Sequence, residues 1–412
     1  MTVRGRLLEN HTLVVRDGRI LDLLPSADAA ERYTATVAMQ RPAHLVMPGM
    51  INAHTRAAMS LFRGIESPIA PLEQRFVGPE FVRDGVLGAI AEMLSSGITC
   101  FGDRYYYPDQ CARAAGEQGV RAVIGLPVAE TISPWAKSSP EYLTEGLRVR
   151  DDYAGHPLIS IVFAPHAPDQ VSNATFARVA TLADELDAGI VIDLHESAEA
   201  IARSVAAHGV RPIERLWQLG LLTPALNAVH MTHATAADMD LAQRTGIAIS
   251  LCSEASLERE QLLPPAAAFV ASGIRLGLGS GGARRQDVWG EMQLLALMTS
   301  RLQPSGGPGC TAWDALAKAT RGGAAVLGLD ADVGTLESGK WADLCCVDLG
   351  GPATQPLIDP LTQLVFCGGR DIVSDVWVAG RQLKSDGELT RLDWPAVAAR
   401  ANAWAMRLKN GG

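Results

Sequence analysis

Through the middle of the chain, short apolar runs that turn polar at their C-terminal ends alternate with amphipathic helical patterns. The runs are ISIVFAPHA (159–167), GIVIDLHES (189–197), LNAVHMTHA (226–234), GIAISLCSE (246–254) and IRLGLGSGG (274–282), with helical stretches such as ATFARVATLADELDA and TAADMDLAQRT between them. Repeating β-α units of this spacing predict parallel strands, and continuous apolar character predicts burial on both faces. An α/β fold of the (β/α)8 TIM-barrel type fits, since such barrels take roughly 250 residues or more. The two ends read differently. TLVVRDGRILDLLP makes two alternating strands around Asp17-Gly18, a hairpin signature, and GTLESGKWADLCCVDL and DIVSDVWVAGRQLKSDGELTRLD again give short strands with turn dipeptides. The expected organisation is a barrel over residues 45–335, with a small β-sandwich domain built from both chain ends, residues 1–44 and 336–412, the latter including a C-terminal helix.

Composition narrows the class. At 412 residues the chain exceeds a single ordinary core, and 48% hydrophobic with 20% charged residues is the balance of a globular protein rather than a disordered one. A net charge of -9 and the lack of any lysine or arginine run disfavour nucleic acid as a partner. No apolar segment is long enough to span a bilayer and the start MTVRGRLLENHTLVV lacks a leader pattern, so no membrane partner and a cytoplasmic location are expected. The seven cysteines are odd in number and lack C-x-x-C spacing, which suits reduced thiols acting as small buried hydrophobes.

Barrel enzymes gather their chemistry at the C-terminal ends of strands, and five of the nine histidines, His54, His166, His195, His230 and His233, lie at such ends. In VMPGMINAHTRAAMSLFRGI (46–65) a buried strand delivers His54 and then Arg56, two residues on, to one face. That is where a second metal ligand would suit the geometry. Arginine offers no lone pair and keeps its charge, so Arg56 cannot ligate and repels a cation beside it.

The segments VMPGMINAHT, AEMLSSGITCFGD, APHAP, HESAEA, AVHMTHAT, WGEMQLLALM and GTLESGKWADL, in this order over nearly the whole chain, resemble the amidohydrolase superfamily, within it the chlorohydrolase and deaminase branch acting on triazines, adenosine derivatives and related N-heterocycles. The resemblance implies a distorted barrel with a β-sandwich, a homodimer, and one divalent metal that activates a water. That metal is normally held by an H-x-H on the first barrel strand, a histidine on each of the fifth and sixth, and an aspartate on the eighth. Here His54 and His230 match, whereas Arg56, Asp193 and Gly281 stand at the other three positions. By the same resemblance Glu196 takes the proton-shuttle place, His233 the second histidine of the strand-six pair, and His166 a substrate-facing place. GIESPIAPLEQRFVGPEFV is shorter than the family's loop after strand one, and LCSEASLE departs from the family's C-P-x-S-N.

The expectation drawn from these substitutions is an enzyme on a small nitrogen-containing heterocyclic substrate with no metal cofactor. Arg56, held by Asp193 through charge-assisted hydrogen bonds, stands in for the cation, Glu196 and His233 serve in acid/base catalysis, and His54, His166, His195 and His230 contact substrate. Without an activated water, proton-transfer chemistry such as isomerisation, elimination or cyclisation stands beside hydrolysis or deamination. Two readings compete: a reduced metal site of His54, Asp193 and His230, and a catalytically silent binding protein. GLGSGG formally contains a dinucleotide fingerprint at Gly277, Gly279 and Gly282, but no acidic residue follows at the required distance and the segment ends a barrel strand. Tyr105, Tyr106 and Tyr107 are expected to pack.

Overall fold

The structure is a computed structural model that describes residues 7–66, 68–282, 284–301 and 309–411. Its strands, in chain order, are β1 (His11–Arg16), β2 (Arg19–Pro25), β3 (His44–Pro48), β4 (Met50–Thr55), β5 (Ile98–Arg104), β6 (Arg121–Val128), β7 (Ile159–Pro165), β8 (Ile190–Leu194), β9 (Leu226–His230), β10 (Ala248–Leu251), β11 (Arg275–Leu278), β12 (Leu344–Asp348), β13 (Val373–Val378), β14 (Arg381–Ser385) and β15 (Glu388–Leu389). β4 to β11 pair in parallel in sequence order. Every residue of β4, β5, β8 and β9 is buried, as a sheet covered by helices outside and filled by side chains inside requires.

The ring closes where β11 meets β4. Gly281 N–H donates to the His54 carbonyl at 3.0 Å, and the Asn52 side chain bridges to Ser280, donating to its Oγ at 2.8 Å and accepting its N–H at 2.9 Å. Gly279 permits this approach, since a Cβ there would lie 2.8 Å from the His54 nitrogen. Inside the mouth, Ala164, Val191 and Val229 from three successive strands and Cys252, just past the end of β10, form a packed apolar layer. Polar side chains at the next inward positions therefore stand on a dry floor.

The chain ends form the small β domain. β1 and β2 make the hairpin, with Asp17 and Gly18 both at positive φ, the geometry of a two-residue turn whose twist matches its strands. β3, β12, β13, β14 and β15 make a five-stranded antiparallel sheet. One boundary and the placement of the C-terminal helix differ from the sequence reading. β3 pairs with β12 rather than with the barrel, so the boundary placed between residues 44 and 45 falls inside β3 and the barrel begins at Met50. The chain passes between the two sheets at Gly49, where a Cβ would collide with Thr99. The C-terminal helix Trp394–Gly411 joins the barrel wall: Trp404 packs edge-on against Phe81 with ring centroids 5.1 Å apart and donates to Asp84 Oδ2 at 2.9 Å. Arg121 at the start of β6 donates to both Asp343 oxygens, at 2.7 and 3.1 Å, and fastens the β domain to the barrel.

Six of the cysteines are buried, Cys367 is exposed, and all seven are unpaired. Among the described residues no helix is long and apolar enough to cross a membrane.

Candidate active site

Four strand ends build the site. β4 delivers His54, which is 1% exposed. β5 ends on Arg104, β8 carries Asp193 two residues after the interior Val191, and β9 ends on His230. Alternation turns Asp193 inward with Val191. It would turn His230 outward, because its neighbour Val229 already faces in, but His230 adopts φ 74° and Met231 φ 53°. Positive φ at non-glycine residues is uncommon and clusters at functional sites. Here it brings the imidazole to the mouth, 3.8 Å from Asp193 Oδ1 and 3.4 Å from Glu196 Oε1 through Nε2.

His54, Asp193 and His230 each present a donor atom within 4.8 Å of the others, all buried. Arg56 donates to Asp193 Oδ2 at 3.0 Å, and Arg104 donates to the same oxygen. Burial pushes the Asp193 carboxyl up, but Arg104 and Arg56 outweigh it and hold it well below the ordinary carboxylate range. Burial, aided by Arg104, keeps His54 well below the usual imidazole value. Burial likewise holds His230 and His166 at about 4, with Arg56 and Arg104 adding to it. At neutral pH these rings are uncharged, the form in which imidazole ligates metals or accepts hydrogen bonds.

The remaining candidates divide. Glu196 is partly exposed at the rim and paired with Arg259. His233 Nε2 lies 3.0 Å from Glu260 Oε2. Arg259 and Glu260 come from the helix Ser253–Glu260, which the altered LCSEASLE segment opens. His166 holds Arg104 through its backbone carbonyl at 2.7 Å, leaving its own Nδ1 without a partner among the described residues. His195 corrects the expectation of a substrate contact. β8 stops at Leu194 and His195 takes φ 49°, so its ring leaves the mouth and is held by Asp238 at 3.4 Å and by the Ile213 N–H at 3.3 Å. Asp238 also belongs to the capping box of the helix Ala236–Thr245, so His195 joins strand end to helix start.

Arg104, Arg259 and Glu260 were missed by sequence reasoning. Arg104 ends a barrel strand just as the histidines do, and that position was the available signal; Arg259 and Glu260 reach the site through helix phase, for which the altered segment offered no template. Gly281, at the place of the eighth-strand aspartate, has φ 66°, and a Cβ there would meet the Cys252 Cβ at 2.8 Å. The tyrosines pack at the rim, Tyr105 donating to Glu73 at 2.7 Å and Tyr107 to the Pro134 carbonyl at 2.7 Å.

Behind Cys252, Glu291 is fully buried and accepts the N–H groups of Ser253 and Glu254, each at 2.8 Å. Burial outweighs these bonds and pushes its carboxyl up to about 8. The folded state therefore holds a proton that the unfolded chain releases near its ordinary value of about 4.3. Its stabilising effect is complete below that value and is lost as pH rises through about 8. Thermal unfolding midpoints are expected to fall over that window, and Glu291→Gln should flatten the decline.

The donor set fits a divalent cation. Two neutral imidazoles and a carboxylate are a legitimate reduced ligand set, and His54 Nε2 and Asp193 Oδ1 are buried without hydrogen-bond partners among the described residues. Buried polar atoms of this kind call for a partner.

Comparison with known proteins agrees with this geometry. Over 416 residues the chain is 38% identical to a 5-methylthioadenosine/S-adenosylhomocysteine deaminase of Teredinibacter turnerae, covering 98% of this chain and 94% of that one. A deaminase of the same name from Saccharophagus degradans is 36% identical over 98% and 94%. Among solved structures, a zinc-bound adenosine deaminase from Xanthomonas campestris superposes with a TM-score of 0.95 at 38% identity, covering 98% of this chain and 94% of that one. The zinc-complexed atrazine chlorohydrolase TrzN of Arthrobacter aurescens shares the fold, with a TM-score of 0.90 at 21% identity over 98% and 97%. The expectation of a site with no metal is therefore not supported: Arg56 reaches Asp193, as its charge requires, but through one carboxylate oxygen, and a three-donor cluster remains beside it. Isomerase, lyase and cyclase readings likewise find no support among these relatives. Residues 45–383 match the amidohydrolase family, and the chain belongs to it.

Proposed function

We propose that the protein is a hydrolytic deaminase of an amino-substituted N-heterocycle, of the adenine-nucleoside kind named for its relatives, working through a reduced metal site. The observation that carries this reading is the convergence of His54, Asp193 and His230 within 4.8 Å, with Glu196 3.4 Å from His230. These three residues would hold the cation, which when bound supplies Lewis acidity and a lowered water pKa.

Glu196 takes a proton from the attacking water and returns one to the departing nitrogen, so that a C–O bond forms, the C–N bond breaks and ammonia leaves. His233, in hydrogen-bond contact with Glu260, assists in proton transfer. Arg56 helps keep Asp193 anionic. His166 contacts the substrate from the β7 side. The same reading includes a homodimer acting in the cytoplasm on a small-molecule substrate. The family resemblance supports the homodimer.

The test is ammonia release from 5-methylthioadenosine, S-adenosylhomocysteine and adenosine by protein reconstituted with zinc, with metal content measured on the same sample. One ammonia per substrate consumed is expected. A zinc-loaded protein that leaves every aminopurine nucleoside intact would overturn the deaminase reading.

A further inference from the structure

Asp193 faces two kinds of cation at once. Its Oδ2 accepts from Arg56 at 3.0 Å and from Arg104, while its Oδ1 has no hydrogen-bond partner among the described residues. Arg104 is fixed in this place: it is 5% exposed, and its second nitrogen donates to the His166 carbonyl at 2.7 Å. Arg56 is held less firmly, with 19% of its side chain exposed. A divalent cation among His54, Asp193 and His230 would thus share one carboxylate with two permanent positive charges, and like charges this close repel strongly in a dry site. The altered eighth strand offers no relief, because Gly281 has no room for the carboxylate that could offset them.

We propose that Arg104, together with Arg56, is a built-in counter-cation on Asp193 that competes with the divalent metal, so that the site loads zinc only against two guanidinium groups and Arg104 sets how weakly. The proposal rests on reading His54, Asp193 and His230 as a metal site. On this account the two guanidinium groups already balance the Asp193 charge in the metal-free protein, and the metal is exchangeable rather than permanent. Arg104 is a positioning residue for Asp193.

The test is the zinc dissociation constant, measured by chelator competition with zinc alone, for the parent protein and for Arg104→Met, Arg104→Lys, Arg56→Met and His54→Ala. Arg104→Met is expected to tighten zinc by about tenfold or more, Arg56→Met by a smaller factor, and Arg104→Lys, which keeps the charge, to change it little. His54→Ala should abolish zinc binding. If Arg104→Met fails to fold, Arg56→Met carries the same comparison, because its side chain is more exposed. His54-dependent zinc binding in the parent that neither methionine variant tightens would overturn the counter-cation and leave the metal site standing. No His54-dependent zinc in any of the proteins would overturn both.

Discussion

Glu196→Gln is expected to lower kcat by about 10²- to 10⁴-fold, the span that a positioned proton-transfer group contributes. Glutamine keeps the size and the hydrogen-bonding reach toward His230 and Arg259 but cannot carry a proton. Zinc binding and thermal stability should stay close to the parent, because Glu196 is not among the three converging donors and is partly exposed at the rim. KM should move little if the lost interaction is made only in the transition state. The measurement is steady-state ammonia release at saturating zinc. A variant within about threefold of the parent kcat would remove Glu196 from the chemistry, and the proton would then have to pass through His233 and Glu260.

The second large effect is on stability. Asp193→Asn leaves Arg104 and Arg56 without the carboxylate on which both converge, at a place where the carboxylate is 2% exposed. Breaking a buried pair from one side costs about 3–5 kcal/mol, because the surviving charge stays in the low-dielectric interior without a partner. Two guanidinium groups are stranded here, although Arg56 can recover part of the loss by turning toward solvent. The expected result is a markedly lower unfolding midpoint in the presence of chelator, so that loss of zinc linkage does not contribute. Adding Arg104→Met to Asp193→Asn should restore part of the loss, since a neutral pair no longer carries an unpaired charge. An Asp193→Asn protein as stable as the parent in chelator would show that the arginines do not depend on it.

Much of the fold was legible because barrel strands carry an unambiguous pattern. Runs such as GIVIDLHES are apolar on both faces and end in polar residues, and burial on both faces is what a parallel sheet under helices imposes. The hairpin at Asp17-Gly18 was legible because both turn positions need positive φ and this dipeptide tolerates it. β3 misled because it too is apolar and abuts β4; only its partner β12, about three hundred residues away, decides that it belongs to the small sheet. At the site, the pairing of Arg56 with Asp193 followed from charge and strand position. His195 could not be placed by alternation, because a single residue at φ 49° reversed its direction, and nothing in LHES announces that.

The order of residues along the chain fixed the addresses of His54, Arg56, Asp193, Glu196 and His230 at or just past strand ends, since strand periodicity and barrel topology follow from local patterns of apolar and polar side chains. Tertiary structure alone decided which of them meet. Two arginines from different strands converge on one carboxylate, one histidine turns in and another turns out on left-handed backbone, and the helix Ser253–Glu260 brings Arg259 to Glu196 and Glu260 to His233. Those outcomes depend on contacts between segments distant in sequence and on single backbone angles, and no local pattern encodes either.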